Sequence, residues 1–385
     1  MGGAGIVIGD SFKALRSAGI DVELVAGFGE DSTPDEEVTW LNGADLRAGS
    51  ALDAVRIVYN RHARDRVAPI LSKRDPDRTL VILHQWTRYL TPSVVDLLSR
   101  FSTMVYMHDY FWACPNGAYF DFQRGVPCWR RPMGAACITA NCDRQGRSHK
   151  MVRVARHAML EGCSRAGRNN RVMLHISHLA RRTAEPLLPD EHHALVYNPL
   201  YLPVPTDPMP YRMYDVGYVG RLEPEKGVGQ LLELAQQRSL KALFVGEGSL
   251  ASRIEASGAT RLGWQPHSAM TELMRSCRVV ALPSLWPETW GLVTPEAINA
   301  GVPVLVSQRA GSAELIERLG GGAIFDPDLA GDLEFKLNGL LQAEPESITT
   351  VATRRTALNR LLSPEAHAER IVTLASEHFG FDLRG

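Results

Sequence analysis

A chain of 385 residues with 45% apolar and 22% charged residues is too long for one ordinary core and too apolar to be disordered, so it reads as a soluble globular protein of two domains. No apolar run approaches the length of a membrane span, and the N-terminus has no basic region followed by a long apolar stretch, which points to the cytoplasm. The net charge of −1 conceals an asymmetry: residues 124–182 hold thirteen Lys or Arg against two acids, Asp143 and Glu161, a net +11 that leaves −12 for the remainder and invites an anionic partner.

The chain opens on Met1-Gly2-Gly3-Ala4-Gly5, which has the composition of the glycine-rich turn after the first strand of a nucleotide-binding domain, with residues 6–18 as its helix. No strand precedes it, so the natural start is expected upstream of Met1, or the domain lacks its first strand. Residues 21–25 read as a strand, 27–37 as a polar loop and 51–72 as one helical stretch. Residues 79–84 read as a buried parallel strand, 93–101 as the following helix and 103–107 as another strand. That strand runs into His108-Asp109, at the crevice end where α/β proteins keep their chemistry.

An irregular insertion over residues 110–147 holds Cys114, Cys128, Cys137 and Cys142, whose gaps of thirteen, eight and four residues fit no common zinc ribbon. A structural metal, disulfides and ordinary thiols stay open for these four, whereas Cys163 and Cys277 read as packing residues. Residues 148–168 form an amphipathic helix, with Met151, Val152, Val154, Ala155, Ala158, Met159 and Leu160 beside Lys150, Arg153 and Arg156. Two fates are open to it: lying on an anionic membrane surface, or packing on the core with a solvated basic face. Strands at 171–177 and 194–197 complete this half, with Arg181 and Arg182 on the helix between them.

Five prolines in residues 199–210 stop regular structure and mark the boundary between an N-terminal domain, 1–198, and a C-terminal one, 211–362. Beyond the boundary, strand and helix alternate in short order. Strands are expected at 214–219, 242–245, 278–282, 302–306 and 323–325. Helices are expected at 228–238, from Ser249, at 267–276, from about Gly291 to Ala300, and from Gly311. A last helix, 364–379, in the tail 363–385, is expected to return to the first domain. The architecture is α/β, two facing Rossmann-like domains with a crevice between them.

Chemistry converges on the stretch 287–297. Glu288 precedes the helix and Glu296 falls about two turns later; between them Gly291 permits close backbone approach, and the free N–H groups of Leu292 and Val293 open a helix that attracts phosphate. Pro295 suits the first turn. A ligand with a diphosphate in the middle and a polyhydroxylated ring at each end, such as a nucleotide-sugar, would use all of this, one carboxylate per sugar. Arg221 and Lys226 flank the turn after the strand 214–219, and two fixed cations with a helix N-terminus can stabilise a departing diphosphate without a divalent metal. No acidic cluster with metal-ligand spacing accompanies them, so no metal and no cofactor is expected.

Gly220-Arg221-Leu222 with Glu225-Lys226-Gly227, then Val245-Gly246-Glu247-Gly248, the stretch from Glu288 to Glu296, and Gly301-Val302-Pro303-Val304 resemble the family 4 retaining glycosyltransferases, of GT-B architecture. In the first half Gly2-Gly3, His84, His108-Asp109 and Cys114-Pro115-Asn116-Gly117 resemble bacterial members that build surface polysaccharides. The resemblance implies Arg221 and Lys226 on the diphosphate and Glu296 on the ribose hydroxyls. It implies Glu288 on the donor sugar and the N–H groups at Gly291 and Leu292 on the phosphate. It also places His108 beside the reacting carbon, the base near Gly246 and the Arg261-Leu262 turn, and Gly3 across the crevice. It implies transfer with retention, the departing phosphate itself taking the acceptor's proton. The acceptor would be a glycan or a polyprenyl-linked one, with the basic segment 124–182 meeting an anionic membrane surface at the inner face; nucleic acid is not an expected partner. A nucleotide-sugar epimerase, which would need no acceptor, and a non-catalytic nucleotide-sugar-binding protein are the competing readings. A phosphorylase is disfavoured because no lysine offers a convincing pyridoxal phosphate site.

Overall fold

The structure, a computed structural model, describes residues 3–27, 38–43, 45–46, 51–202 and 212–383. Met1 and Gly2, residues 28–37 of the polar loop and residues 203–210 of the proline-rich linker lie outside them. The N-terminal half runs α1 (Gly3–Ser17), β1 (Leu24–Ala26), β2 (Val38–Trp40), α2 (Ala51–Val58), α3 (Arg61–Leu71), β3 (Leu80–Leu83), α4 (Thr91–Val95) and β4 (Ser102–Met107). The insertion carries a hairpin, β5 (Phe120–Asp121) and β6 (Val126–Pro127), and a short helix α5 (Ala135–Thr139). Then follow α6 (Arg147–Ser164), β7 (Arg171–His175), α7 (His178–Ala184) and β8 (His192–Leu195). β3, β4, β7 and β8 form a parallel sheet in that order, while β1 and β2 pair with each other alone.

The C-terminal half runs β9 (Tyr214–Val219), α8 (Val228–Gln237), β10 (Ala242–Val245), α9 (Ala251–Ala256), β11 (Thr260–Leu262), α10 (His267–Arg275), β12 (Cys277–Leu282), α11 (Val293–Ala300), β13 (Val304–Ser307), α12 (Ala313–Leu319), β14 (Gly322–Phe325), α13 (Asp332–Gln342), α14 (Ile348–Leu362) and α15 (Pro364–Phe379). Its six strands are all parallel in the order β11-β10-β9-β12-β13-β14. That is the doubly wound order, and strand order reverses between β9 and β12. The apolar runs at 242–245 and 304–307 are buried at every residue, as strands covered by helices on both faces must be.

Several expectations are corrected. The helical stretch 51–72 is two helices, because Asn60 accepts the Ala63 N–H with its side chain and caps α3. A strand at Val38–Trp40 pairs with β1 outside the main sheet, and α13 and α14 were not anticipated. The most consequential correction concerns α6, which buries Lys150 and Arg156 together with Val154 and Leu160 and turns part of its expected apolar face outward. Lys150 is 1% exposed and its ammonium lies 3.6 Å from Cys137 Sγ. Arg156 is 5% exposed, stacked 4.4 Å from the Phe111 ring centre and donating to the Pro115 carbonyl. Arg153 pairs with Asp143 at 3.1 Å. Met151, Ala155, Ala158 and Met159 face outward instead. All six cysteines are free thiols, and among the described residues no group of three or more His, Cys, Asp or Glu side chains is arranged to hold a metal. Among the described residues no helix is long and apolar enough to cross a membrane.

Two connections place the halves. Leu200 N–H donates to the Leu362 carbonyl at 2.9 Å, so the outgoing chain is stitched to the end of α14. α15 packs against α1, with Leu15, Ile371 and Ala375 in one buried cluster. His367 donates through Nδ1 to the Tyr197 carbonyl at 3.0 Å, and its Nε2 meets Ser11 Oγ at 2.8 Å.

Candidate active site

The switch point between β9 and β12 sets two loops side by side: residues 220–227 after β9 and residues 283–292 after β12. Their close approach depends on Gly227, whose φ of +73° closes a 3-10 turn over Pro224–Lys226 and whose missing Cβ leaves room for the Pro283 carbonyl. Lys226 Nζ therefore reaches Glu288 Oε1 at 2.6 Å, each side chain 11% exposed. The Ser284 hydroxyl donates to the other Glu288 oxygen, and the Lys226 ammonium lies 5.0 Å from the Trp286 ring centre. Burial pushes the Glu288 carboxyl up, but the Lys226 charge and hydrogen bond, the Ser284 hydroxyl and the Arg221 charge outweigh it and hold the group below the usual carboxylate range. Backbone bonds fix the residue: Glu288 N–H to the Arg309 carbonyl at 2.8 Å, and Gly311 N–H to the Glu288 carbonyl at 2.9 Å.

Arg221 remains more than half exposed, 3.8 Å from the buried Glu225. Glu225 also receives Arg144 from the insertion of the first half, so that segment bears on the turn holding Arg221 and Lys226. α11 begins at Val293, two residues later than expected, which puts Glu296 in its first turn. Gly291, at φ +115°, packs so closely on Leu282 that a Cβ there would stand 2.5 Å from Leu282 Cδ2. The N–H groups of Leu292 and Val293 thus open the helix beside the Lys226–Glu288 pair. Burial pushes Glu296 up to about 7, with His267 Nδ1 3.9 Å away. Gly3 faces Leu292 across the crevice, a Cβ on it standing 2.9 Å from Leu292 Cδ1.

At the far edge of the sheet, Gly246 N–H donates to the Leu262 carbonyl and the Gly246 carbonyl accepts Arg261 Nη1 at 3.2 Å. Arg261 is also paired with Glu247 at 3.2 Å and with Glu255 at 2.6 Å, so these residues form one tied corner.

His108 arrives from the other domain. The Thr289 hydroxyl, one residue after Glu288, donates to the His108 carbonyl at 2.8 Å, and the Ser177 hydroxyl donates to the Thr289 carbonyl at 2.7 Å. Ser177 also caps α7 through the Ala180 N–H. The loop of one domain is thereby bonded to the ends of β4 and β7 in the other. His108 Nε2 lies 2.9 Å from His84 Nδ1, and burial pushes His108 down to about 3. A cavity of about 280 Å³ lies elsewhere, beneath α15 among Tyr197, Leu362, His367 and Arg370, and none of these site residues lines it.

Ser284, Thr289, Ser177 and Arg144 escaped the sequence reading. Ser284 and Thr289 flank Glu288 in the same loop, which is the signal that could have found them; Ser177 and Arg144 meet the loops only through the fold.

Residues 211–354 match the family described as "Glycosyl transferases group 1". The match covers that stretch of the C-terminal half and not the whole chain. The putative teichuronic acid biosynthesis glycosyltransferase TuaC of Bacillus subtilis is 34% identical over 100 residues, 26% of this chain and 25% of that protein. The matches span between 25% and 28% of the length of the first curated relatives. Over the full fold, this chain is similar to sucrose-phosphate synthase from Thermosynechococcus elongatus, with a TM-score of 0.70, 17% identity and coverage of 98% of this chain and 94% of that one. It is also similar to Anabaena HepE in complex with UDP, with a TM-score of 0.63, 16% identity and coverage of 98% and 96%. Those likenesses are of fold, and the fold is the expected GT-B arrangement of two facing α/β domains.

Proposed function

We propose that this protein transfers a sugar, with retention, from a nucleoside-diphosphate sugar to a glycan or polyprenyl-linked acceptor in surface polysaccharide biosynthesis. The observation that carries the reading is the Lys226–Glu288 pair beside the N-terminus of α11, at the switch point of a group 1 glycosyl transferase domain. Lys226 has three N–H donors; Glu288 takes one, leaving two for phosphate oxygens, while Arg221 stays exposed next to it. As the bond to the sugar breaks, these cations and the N–H groups at Gly291, Leu292 and Val293 neutralise the growing charge on the diphosphate, a task that needs no metal or other cofactor. Glu288 and His108 hold the donor sugar, Glu296 the ribose, and the corner of Gly246, Arg261 and Leu262 the base. The departing phosphate takes the acceptor's proton on the same face. Support for the nucleotide comes from the likeness to HepE, which was determined with UDP, and for the process from the likeness to TuaC.

The acceptor side is placed on the inner membrane surface, with the rest of the protein in the cytoplasm. The face we assign to the lipid is the outward side of α6, with Met151 46% and Met159 38% exposed, together with Leu52 and Val55 of the adjoining α2 at 58% and 65%. Exposed Arg56, Arg147 and Arg165 on the same two helices suit anionic headgroups. Incubation with a panel of nucleoside-diphosphate sugars and a polyprenyl-phosphate-linked acceptor tests the whole reading. It predicts a glycosylated lipid whose new linkage keeps the donor's anomeric configuration; donor isomerised without any acceptor would favour an epimerase instead.

A further inference from the structure

His84 and His108 follow adjacent strands, β3 and β4, and end up side by side at the crevice edge. His84 Nδ1 and His108 Nε2 are 2.9 Å apart. Both rings pack on Tyr106, each 4.6 Å from its centre with planes within 23°, and Tyr106 is itself anchored by its hydroxyl on Asn198 Oδ1 at 3.2 Å. A neutral imidazole has one N–H and one lone pair, so a nitrogen–nitrogen hydrogen bond between two of them fixes opposite roles. If His108 donates through Nε2, its Nδ1 is an acceptor; if it accepts, its Nδ1 is a donor. Burial first, then the charges of His108 and His367, holds His84 well below the usual histidine range, and burial alone does so for His108. The other titratable groups facing the pair are Tyr106 and His367, and neither offers it a counter-charge. Among the described residues nothing bonds to the remaining nitrogens, His108 Nδ1 and His84 Nε2, and both residues are partly exposed.

A second histidine pair in the same sheet shows what is special here. His193 Nε2 donates to the Leu188 carbonyl at 2.9 Å, so its Nδ1 must accept from His175 Nε2 at 2.7 Å, and that pair is locked in one direction. The His84–His108 pair has no carbonyl to lock it.

We infer that His84 is the positioning residue of the site: through its hydrogen bond it orients the His108 imidazole and couples the His108 tautomer to its own, so that the nitrogen presented to the donor sugar is set by the pair and not by His108 alone. The inference rests on the proposed placement of His108 at that sugar. His84 acts only through His108, and because neither ring is pinned to a carbonyl, a hydroxyl bound at His108 Nδ1 resets both tautomers together.

The test is a long-range proton–nitrogen spectrum of the full chain labelled with ¹⁵N-histidine, with turnover measured as nucleoside diphosphate release from UDP-glucose and GDP-mannose. In the unaltered chain both imidazoles should stay neutral between about pH 5 and 8 and show the same tautomer in matching proportions, both Nε2–H where His108 donates and both Nδ1–H where His84 donates. His84→Phe keeps the ring on Tyr106 but removes the hydrogen bond; the His108 tautomer proportions should then depart from those of the unaltered chain and kcat should fall about 100-fold with donor KM moved less than about twofold. His84→Asn sets an amide, which can donate or accept, where Nδ1 was, and should keep the His108 hydrogen bond and most of the rate. Unequal tautomer proportions of the two rings in the unaltered chain, or an unchanged His108 spectrum in His84→Phe, would overturn the inference. Loss of turnover in His108→Ala with full turnover in His84→Phe would sink the inference alone. Full turnover in His108→Ala would sink the placement of His108, and the inference with it.

Discussion

Lys226 and Glu288 belong to loops 62 residues apart in sequence, yet their charged atoms stand 2.6 Å apart and nearly buried. The pair joins the loop expected to hold phosphate to the loop expected to hold sugar, and the Lys226 charge holds Glu288 below the usual carboxylate range.

Removing one partner should therefore do more than remove a bond. Lys226→Met leaves Glu288 buried without its cation and is expected to lower unfolding free energy by about 3 kcal/mol at neutral pH. Glu288 lies below the ordinary carboxylate range, so the stabilisation is present above the unfolded-state pKa and is lost as pH falls through the folded one. The deficit of Lys226→Met in urea denaturation should accordingly shrink in acid, and Lys226→Met/Glu288→Gln should recover most of it at neutral pH.

Glu296 carries the opposite sign. With burial raising it to about 7, it contributes stability below the ordinary carboxylate pKa that is lost as pH rises through about 7. A ribose donating two hydroxyls needs the ionised form, so nucleotide binding should release a proton and weaken as pH falls below about 7. His267, 3.9 Å away and half-exposed, favours the ionised form only when it is itself protonated. Calorimetry with UDP or GDP in buffers of different ionisation enthalpy measures the proton; Glu296→Gln should abolish its release.

How much of this was legible in the sequence depended on whether the signal was local. The second half could be read almost strand by strand, because 242–245 and 304–307 are short apolar runs between glycine-rich turns, and turn chemistry fixed Lys226, Glu288 and Glu296 near one crevice. The break at Asn60 was missed because a cap inside an apolar-periodic stretch looks like any exposed polar residue. Helical periodicity found α6 but could not tell its inner face from its outer one. Lys150 turns inward because thiols of the insertion wait there, and Arg156 because Trp86, Phe111 and the Pro115 carbonyl do. The Thr289–His108 bond spans 181 residues and no pattern in the chain announces it.

The outward face of α6 makes its own prediction. Met151→Glu/Met159→Glu should abolish co-sedimentation with anionic vesicles while changing stability by less than about 0.5 kcal/mol, since both side chains face outward. Arg156→Ala, on the buried face, should cost about 2 kcal/mol or more through its lost stacking and hydrogen bond. Vesicle binding that survives the first variant would refute the assigned face.

The two hydroxyls across the domain boundary should act as one unit. Thr289→Val removes one bond, worth about 1 kcal/mol, and Ser177→Ala removes two, the domain contact and the α7 cap. Both domain contacts run through Thr289, so the combined loss in urea denaturation should fall short of the sum.

The central claim is that the crevice between β9 and β12 is a nucleoside-diphosphate site, and a thermal-shift screen against UDP, GDP, ADP and TDP tests it most directly, because a ligand of the native state must raise Tm. The account predicts a shift with one nucleotide, abolished in Arg221→Ala/Lys226→Ala. No shift with any of the four in a chain that melts cooperatively, or a shift that survives the double variant, would contradict it.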